Sequence, residues 1–146
     1  FFLFCMYQFK RFARSDSSVH FSAEDLHPTA SFVDGISKKD ETEQRIYGCE
    51  LIQQAGYLLR LAQVTTATGQ VLFQRFYYNE SIMEFDVRFI AMGALFLASK
   101  VEENMRTPRE TISVFYHILQ PHLQPLEIAS QKYWDLKEGM FRAEMR

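Results

Sequence analysis

The chain has 146 residues, of which 47% are hydrophobic, and its net charge is −2. This size suits one domain with a sizeable core, and the small negative charge gives no basic field that would point to nucleic acid or an anionic membrane. The two cysteines, Cys5 and Cys49, stand far apart, so a reducing compartment fits better than a disulfide framework. Only four prolines and six glycines break the chain. That composition favours helices over many short strands.

The amino-terminal end begins with an apolar run, FFLFCMYQF, which is followed by Lys10 and Arg11. A secretory signal peptide has the opposite order, with its basic residues before the hydrophobic run. We therefore expect no signal peptide here and assign no folding role to residues 1–14.

The next segment, residues 15–39, is polar and has no sustained hydrophobic period. A short helix could form near residues 22–26, and Pro28 would prevent its continuation because proline disfavours a helical residue before it. The sequence predicts an irregular arm over residues 1–39 and a single domain over residues 40–146.

Two amphipathic helices are predicted at the start of the domain. The first runs from about Glu41 to Leu59, with Asp40 as its N-cap and Glu43 able to complete a capping box. Its apolar side chains follow helical spacing and are Cys49, Ile52, Ala55 and Leu59. Arg45 is assigned to the opposite, hydrated face. The second helix runs from about residue 63 to 78, and its apolar residues are Val64, Ala67, Val71, Phe73, Phe76 and Tyr77.

The third predicted helix contains the most apolar stretch of the domain, FIAMGALFLAS, from Phe89 to Ser99. Its eleven residues carry no charge, and they fall well short of the ~20 residues that cross a bilayer. A helix that is apolar on every side is normally buried on every side. With Asp86 as its cap, this helix should extend through Lys100 to about Glu103 and form the centre of the core.

Two further helices are predicted after it. Thr107-Pro108-Arg109-Glu110 combines a capping hydroxyl, proline at the first helical position and glutamate at the third, and Pro121 ends this helix. The fifth helix should run from about Ile128 to the last residue, where we expect it to be truncated. Its predicted apolar face comprises Tyr133, Leu136, Met140 and Phe141, broadened by Trp134 and Met145. The predicted fold is all-α, with five helices and the third one buried.

No catalytic or metal-binding pattern is present in the sequence. It contains no glycine-rich phosphate-binding loop. His117 and His122 are five residues apart with a proline between them, so they cannot share a helix face as zinc ligands. Glu102 and Glu103 are adjacent and point in different directions on a helix, unlike a catalytic carboxylate pair. We therefore predict a binding module that is not an enzyme and has no catalytic residues, metal or cofactor.

Several runs of sequence together resemble the cyclin box. They are LFLASKVEE at the end of the central helix, GQVLFQRFYY before it and ISVFYHIL after it. ETEQRIYGCELIQQAGYLLRL, at residues 41–61, is similar to the L type of transcriptional cyclin. The resemblance covers about residues 28–146 and implies the first of two five-helix repeats, with the third helix as its core. The second box and the arginine/serine-rich tail typical of animal L-type cyclins are absent from this sequence.

The resemblance also implies a kinase-binding site at two residues. In the family, a lysine matching Lys100 pairs with a glutamate matching Glu144, and together they hold the regulatory helix of a cyclin-dependent kinase. Such a pair offers charge-assisted hydrogen bonds to a partner. Without the resemblance, Lys100 would be read as a solvated cation at a helix C-terminus, where it is favourable anyway. The substrate-docking MRAIL motif of cell-cycle cyclins has no counterpart in residues 51–61.

The resemblance implies a regulatory subunit that binds and activates a cyclin-dependent serine/threonine kinase. The expected processes are transcription by RNA polymerase II and pre-mRNA splicing, and the expected location is the nucleus. The expected partners are that kinase and, through regions beyond this sequence, the splicing or transcription machinery, with no membrane and no direct contact to nucleic acid. The alternatives are another transcriptional cyclin (T, K or C type), a TFIIB-like general transcription factor domain that contacts DNA, and a remnant that activates nothing.

Overall fold

The computed structural model describes residues 28–122, 124 and 126–145, and these residues form helices joined by turns and loops. The helices are α1 (Ala30–Val33), α2 (Lys38–Leu58), α3 (Gln63–Asn79), α4 (Val87–Val101), α5 (Pro108–Leu119) and α6 (Gln131–Glu144). The predicted all-α fold with five long helices is confirmed, and α1 is an additional short helix. The helix predicted near residues 22–26 lies outside the described residues.

Helix α4 is the centre of the bundle, as its composition predicts. It packs against α2, α3, α5 and α6, and every residue from Ile90 to Phe96 is buried. Full burial of a large apolar side chain stabilises a protein by ~1.5–3 kcal/mol, so Ile90, Leu95 and Phe96 alone make this helix a major source of stability. The apolar face predicted for α2 is also confirmed, because Cys49, Ile52, Ala55 and Leu59 are buried.

Two of the predicted helix starts are confirmed. The Asp86 side chain accepts a hydrogen bond from the backbone N–H of Arg88 at the start of α4. At the start of α5, the Thr107 hydroxyl accepts from the Glu110 backbone N–H, while the Glu110 carboxylate accepts from the Thr107 backbone N–H. Thr107 and Glu110 thus each accept a hydrogen bond from the backbone N–H of the other. This is the capping box predicted from the sequence.

The predicted N-cap of the first long helix is wrong by one turn. Ser37, not Asp40, caps α2, and its hydroxyl accepts from the Asp40 backbone N–H. Asp40 is the third helical residue, and its carboxylate accepts from the Ser37 hydroxyl at 2.8 Å. The sequence holds two overlapping cap patterns, and the earlier one prevails because Lys38 and Lys39 are good helix formers.

The last helix differs from its prediction at its start and on its surface. Helix α6 begins at Gln131 with Ser130 as the N-cap, not at Ile128. Tyr133 and Met140 are buried as expected, but Trp134 and Met145 are exposed and do not broaden the buried face. The Trp134 ring instead lies under the ammonium group of Lys137, 4.7 Å from the ring centroid. Trp134 and Lys137 are three residues apart and are therefore neighbours on the surface of the same helix.

A buried polar network ties the segment before α2 to the bundle. The Thr29 hydroxyl donates to Glu41 Oε2 at 2.7 Å, and Arg45 Nη1 donates to Glu41 Oε1 at 3.1 Å. Arg45 also donates to the side-chain and backbone oxygens of Gln74 on α3. The Arg45 side chain is only 12% exposed, so its assignment to the hydrated face is wrong. Arg45 is buried because α3 packs over that part of α2.

Candidate functional site

The structure brings Lys100 and Glu144 together at the surface where α4 and α6 meet. Lys100 Nζ donates to Glu144 Oε1 at 2.5 Å, although 44 residues separate the two in sequence. Lys100 lies in the last turn of α4, and Glu144 is the last residue of α6. The two helices thus place a cation and an anion side by side.

Small residues bring α4 and α6 close enough for this contact. A Cβ atom added to Gly93 would lie 2.7 Å from the Ala143 Cβ and 3.1 Å from the Glu144 backbone nitrogen. One turn earlier on both helices, a Cβ on Gly139 would lie 2.5 Å from the Phe89 ring. Lys100 follows Gly93 by seven residues, which is two helical turns, so both lie on the same face of α4. The close approach at Gly93 therefore fixes where Glu144 meets Lys100.

The surroundings of the pair act differently on its two charges. Both side chains lie at helix C-termini, where the helix dipole favours the Lys100 cation and disfavours the Glu144 anion, so the lysine offsets the unfavourable glutamate. Lys100 Nζ also lies 4.3 Å from the centroid of the Phe96 ring, a cation–π contact. Lys100 is 37% exposed and Glu144 15%. A pair this close to solvent contributes roughly 0–1 kcal/mol to stability.

The pair retains hydrogen-bonding capacity for a partner. An ammonium group has three donors, and among the described contacts one of them is used by Glu144. The second carboxylate oxygen of Glu144 has no hydrogen bond in that same set of contacts. A docked segment could therefore accept from Lys100 and donate to Glu144 at the same time.

Exposed apolar side chains follow both members of the pair in sequence. Val101 directly follows Lys100 and is 60% exposed, while Met145 directly follows Glu144 and is 80% exposed. Met105, in the loop after α4, is also exposed. A charged pair beside apolar side chains is the composition of a protein-binding surface, where apolar contacts supply affinity and the charges supply orientation.

The glutamates after Lys100 do not join the pair. Glu102 accepts a hydrogen bond from the Thr68 hydroxyl of α3 at 2.8 Å. Glu103 lies in the left-handed region, with φ of 54°, and the backbone N–H of Asn104 bonds to the carbonyl of Ser99. This arrangement is a Schellman motif, which ends α4 immediately after Lys100.

The aromatic run in α3 is part of the core. Tyr77 is fully buried, and its hydroxyl donates to the Phe85 carbonyl at 2.8 Å. Burial raises the pKa of the Tyr77 hydroxyl well above its usual range, so the group stays protonated and keeps donating. The Tyr77 ring packs edge-on against Phe73 and Phe76. The structure thus places these rings in packing positions, where bases could not stack on them.

Two other kinds of feature are absent from the described part of the chain. No group of three or more His, Cys, Asp or Glu side chains there has the arrangement of a metal site. None of its helices combines the length and the apolar character needed to cross a membrane.

Comparison with known proteins identifies the family. The family model for the N-terminal domain of cyclins matches residues 18–131 of the sequence. The chain belongs to the cyclin family. This cyclin chain is 47% identical to human Cyclin-L1 over 84% of its own length, 45% identical to zebrafish Cyclin-L1 over 83%, and 43% identical to Cyclin-L1-1 of Arabidopsis thaliana over 86%. It covers 24%, 25% and 31% of those relatives, so it spans about a quarter to a third of their length.

Family membership confirms the resemblance read from the sequence, and the cyclin family is generally a regulatory, non-catalytic family. Glu144 lies beyond the residues matched by the family model, whereas Lys100 lies within them. The exposure of Val101 and Met145 is not predicted from the sequence, because Met145 is assigned to the apolar face of the last helix and Val101 is given no role. Only the packing of the helices shows that both side chains lie at the surface.

Proposed function

We propose that this chain is part of a kinase regulatory subunit of cyclin L type, which binds and activates a cyclin-dependent serine/threonine kinase. The observation that carries the proposal is the ion pair of Lys100 and Glu144 at the surface between α4 and α6, each member of which is followed in sequence by an exposed apolar residue. The similarity of the chain to Cyclin-L1 proteins supports its assignment to the L type of cyclin. Residues 40–146 would be the first cyclin box, and residues 1–39 an arm leading into it.

The proposed mechanism is docking of the regulatory helix of the kinase against this surface. Lys100 would donate to backbone or side-chain oxygens of that helix, and Glu144 would accept from its donors. Val101 and Met145 would bury apolar area against it. Docking holds the helix in the position in which the kinase forms its catalytic lysine–glutamate ion pair. The cyclin thus supplies positioning and no chemistry of its own.

The proposed setting is the nucleus, in transcription by RNA polymerase II and in pre-mRNA splicing. This part of the proposal rests on the likeness to the L type. A transcriptional cyclin of the T, K or C type would use the same pair with a different kinase. Mass-spectrometric identification of the kinase that co-purifies with the chain distinguishes these types.

The test of the interface is co-purification of a cyclin-dependent kinase with the double variant Lys100→Ala plus Glu144→Ala. We expect kinase recovery to fall at least about tenfold, since charge-assisted hydrogen bonds that are lost at an interface cost several-fold each. The matched control is Glu138→Ala plus Arg142→Ala, which removes another ion pair of α6 whose side chains are both well exposed.

Circular dichroism and thermal unfolding establish that both double variants are folded. Undiminished kinase recovery by a folded Lys100/Glu144 variant would refute the proposed interface. An equal loss in the Glu138/Arg142 control would refute it as well, because the effect would then not belong to this pair.

A further inference from the structure

A second surface, at a different helix junction from the paired charges, contains three arginines. Arg60 follows α2, Arg106 precedes α5, and Arg109 lies in the first turn of α5. They line a cleft of about 860 Å³ between the end of α2 and the start of α5. The Lys100–Glu144 pair belongs to a different junction, between α4 and α6.

The cleft has an excess of positive charge. Of the nine residues that line it, three are arginines and one, Glu110, is acidic. The Glu110 carboxylate is turned into the capping box, where it accepts from the Thr107 backbone N–H at 2.9 Å and from its hydroxyl at 2.8 Å. These hydrogen bonds lower the pKa of Glu110, so it stays ionised, and two net positive charges remain in the cleft.

The arginines have donors to spare. Arg106 Nη2 donates to the Arg60 carbonyl at 3.3 Å, which links the two sides of the cleft. Arg106 Nε is buried and has no hydrogen-bond partner among the described residues. Arg60 and Arg109 are exposed, and neither has an ion pair in the described part of the chain. The exposed Arg60 and Arg109 are accessible to an anion, whereas the buried Nε of Arg106 leaves that residue to contribute mainly its positive charge.

We propose that this arginine cleft binds a phosphorylated serine or threonine in a peptide segment of a partner protein. A phosphate monoester carries close to two negative charges and three acceptor oxygens, which matches the charge and the donors of the cleft. The planar guanidinium group binds phosphate oxygens through two parallel hydrogen bonds. No covalent step is involved, and the contact is independent of the proposed kinase interface.

The walls of the cleft favour a phosphopeptide over nucleic acid. Leu58 is 48% exposed at its rim and Val114 is half-buried, so an apolar residue next to the phosphate would find contacts. None of the nine lining residues is aromatic, whereas single-stranded nucleic acid is bound on aromatic stacking platforms along an extended basic groove. The compact cluster fits one phosphate group with an apolar neighbour.

The direct test is fluorescence anisotropy of the full chain with a short labelled peptide that contains phosphothreonine followed by leucine. We expect this peptide to bind, the unphosphorylated peptide to bind at least about tenfold more weakly, and inorganic phosphate to compete. Arg109→Gln should weaken phosphopeptide binding about tenfold. The matched control is Arg142→Gln, an exposed arginine of α6, which should leave the affinity unchanged.

The variant Arg60→Gly separates binding from folding. Arg60 has a φ of 52°, a left-handed conformation in which glycine is not strained. We expect Arg60→Gly to unfold at the same or a higher temperature than the unmodified chain and yet to bind the phosphopeptide about tenfold more weakly. Reduced binding in this variant therefore cannot come from loss of structure.

Three results would overturn the proposal. They are equal affinity for the phosphorylated and unphosphorylated peptides, unchanged phosphopeptide affinity in both Arg60→Gly and Arg109→Gln, and tighter arginine-dependent binding of a single-stranded RNA oligonucleotide than of the phosphopeptide. Because kinase recovery with Lys100→Ala plus Glu144→Ala is measured separately, failure here leaves the proposed kinase interface standing.

Discussion

Two ion pairs of this cyclin chain each join a basic side chain to a glutamate, and they differ in burial. Arg45 and Glu41 are 12% and 7% exposed, and the hydrogen bonds of both side chains are made within the chain, to Thr29 and Gln74 as well as to each other. Lys100 and Glu144 are more exposed, and one hydrogen bond joins them. The first pair is enclosed by partners within the chain, whereas the second is less buried and has unused donors and an unused acceptor.

The difference separates a pair that holds the fold from a pair that is available for binding. Burial makes each charge dependent on its partners, because removing one partner leaves the other charged and unsolvated. Exposure makes a pair cheap to break, because water replaces the lost contact. Loss of the first pair should therefore appear in stability, and loss of the second in binding.

The largest expected effect is that of Arg45→Ala. This change leaves Glu41 buried without its cation and removes both hydrogen bonds to Gln74, so we expect a loss of about 3 kcal/mol in the free energy of unfolding. Urea denaturation followed by circular dichroism measures it. Arg88→Ala, which breaks a well-exposed pair with Asp86, is the control and should cost less than about 1 kcal/mol. Equal losses in the two variants would contradict the distinction by burial.

A smaller effect is expected from Gly93→Ala, which acts on the position of the exposed pair. The added methyl group meets the Ala143 Cβ at 2.7 Å, and such overpacking costs ~1–3 kcal/mol, against ~1 kcal/mol gained in helix propensity. We expect a net destabilisation and weaker kinase binding. Ala143→Gly in the same chain should restore part of both.

The control for that prediction is Gly69→Ala on α3. Its added Cβ would have its nearest neighbours, Leu95 atoms, at 3.4 Å, which is ordinary contact. Stability should change little or rise in this variant, with kinase binding unaffected. If Gly93→Ala behaved like Gly69→Ala, the close approach of α4 and α6 would not determine the geometry of the pair.

Glu144→Gln should change stability by less than about 1 kcal/mol, because glutamine can still accept a hydrogen bond from Lys100, which is itself partly exposed to water. Kinase binding should nevertheless fall, since Lys100 loses the anion that orients it. Chemical denaturation and kinase co-purification on the same preparation give both values. A loss of stability comparable to that of Arg45→Ala would show that the Lys100–Glu144 pair stabilises the fold as the Arg45–Glu41 pair does, which would contradict the distinction.

The smallest effect concerns Asp86, whose pair with Arg88 is exposed but also caps α4. Hydrogen bonds from the Arg88 side chain and backbone lower the pKa of Asp86 from its ordinary value of 3.8. A lowered pKa means that the carboxylate stabilises the fold above that ordinary value, and that this contribution is lost as the pH falls through the pKa of the folded state. The contribution should be under about 1 kcal/mol at neutral pH.

Asp86→Asn tests this point, because asparagine still caps a helix but carries no charge. Urea midpoints of the two proteins should differ at pH 7 and converge as the pH is lowered below about 4. A constant difference across that range would show that the charge of Asp86 contributes nothing.

The sequence predicts best what is decided locally. The capping box at Thr107 and the cap at Asp86 depend on residues within one turn, and both are found in the structure. The charge-free run of α4 needs no knowledge of its neighbours to be recognised as core. The error at Asp40 arose because two overlapping local patterns, separated by three residues, were both acceptable.

The sequence does not predict contacts between residues that lie on different helices. Arg45 carries a charge at a hydrated position of the helical pattern, and only the arrival of Gln74, 29 residues later, buries it. Trp134 differs, because its contact with Lys137, three residues later in the same helix, is local, and only its exposure is not predicted. The pairing of Lys100 with Glu144 came from family resemblance, because no period within one helix relates residues on α4 and α6.

The long sequence separation of that pair has a consequence for folding. Contacts between residues 44 apart form only after the intervening chain has closed its loop, so they follow the local formation of α4 and α5. A chain in which α6 has not docked presents Lys100 without Glu144. A partner that contacts both charges therefore discriminates between a completed bundle and a partly folded one, and its binding reports that the bundle is complete.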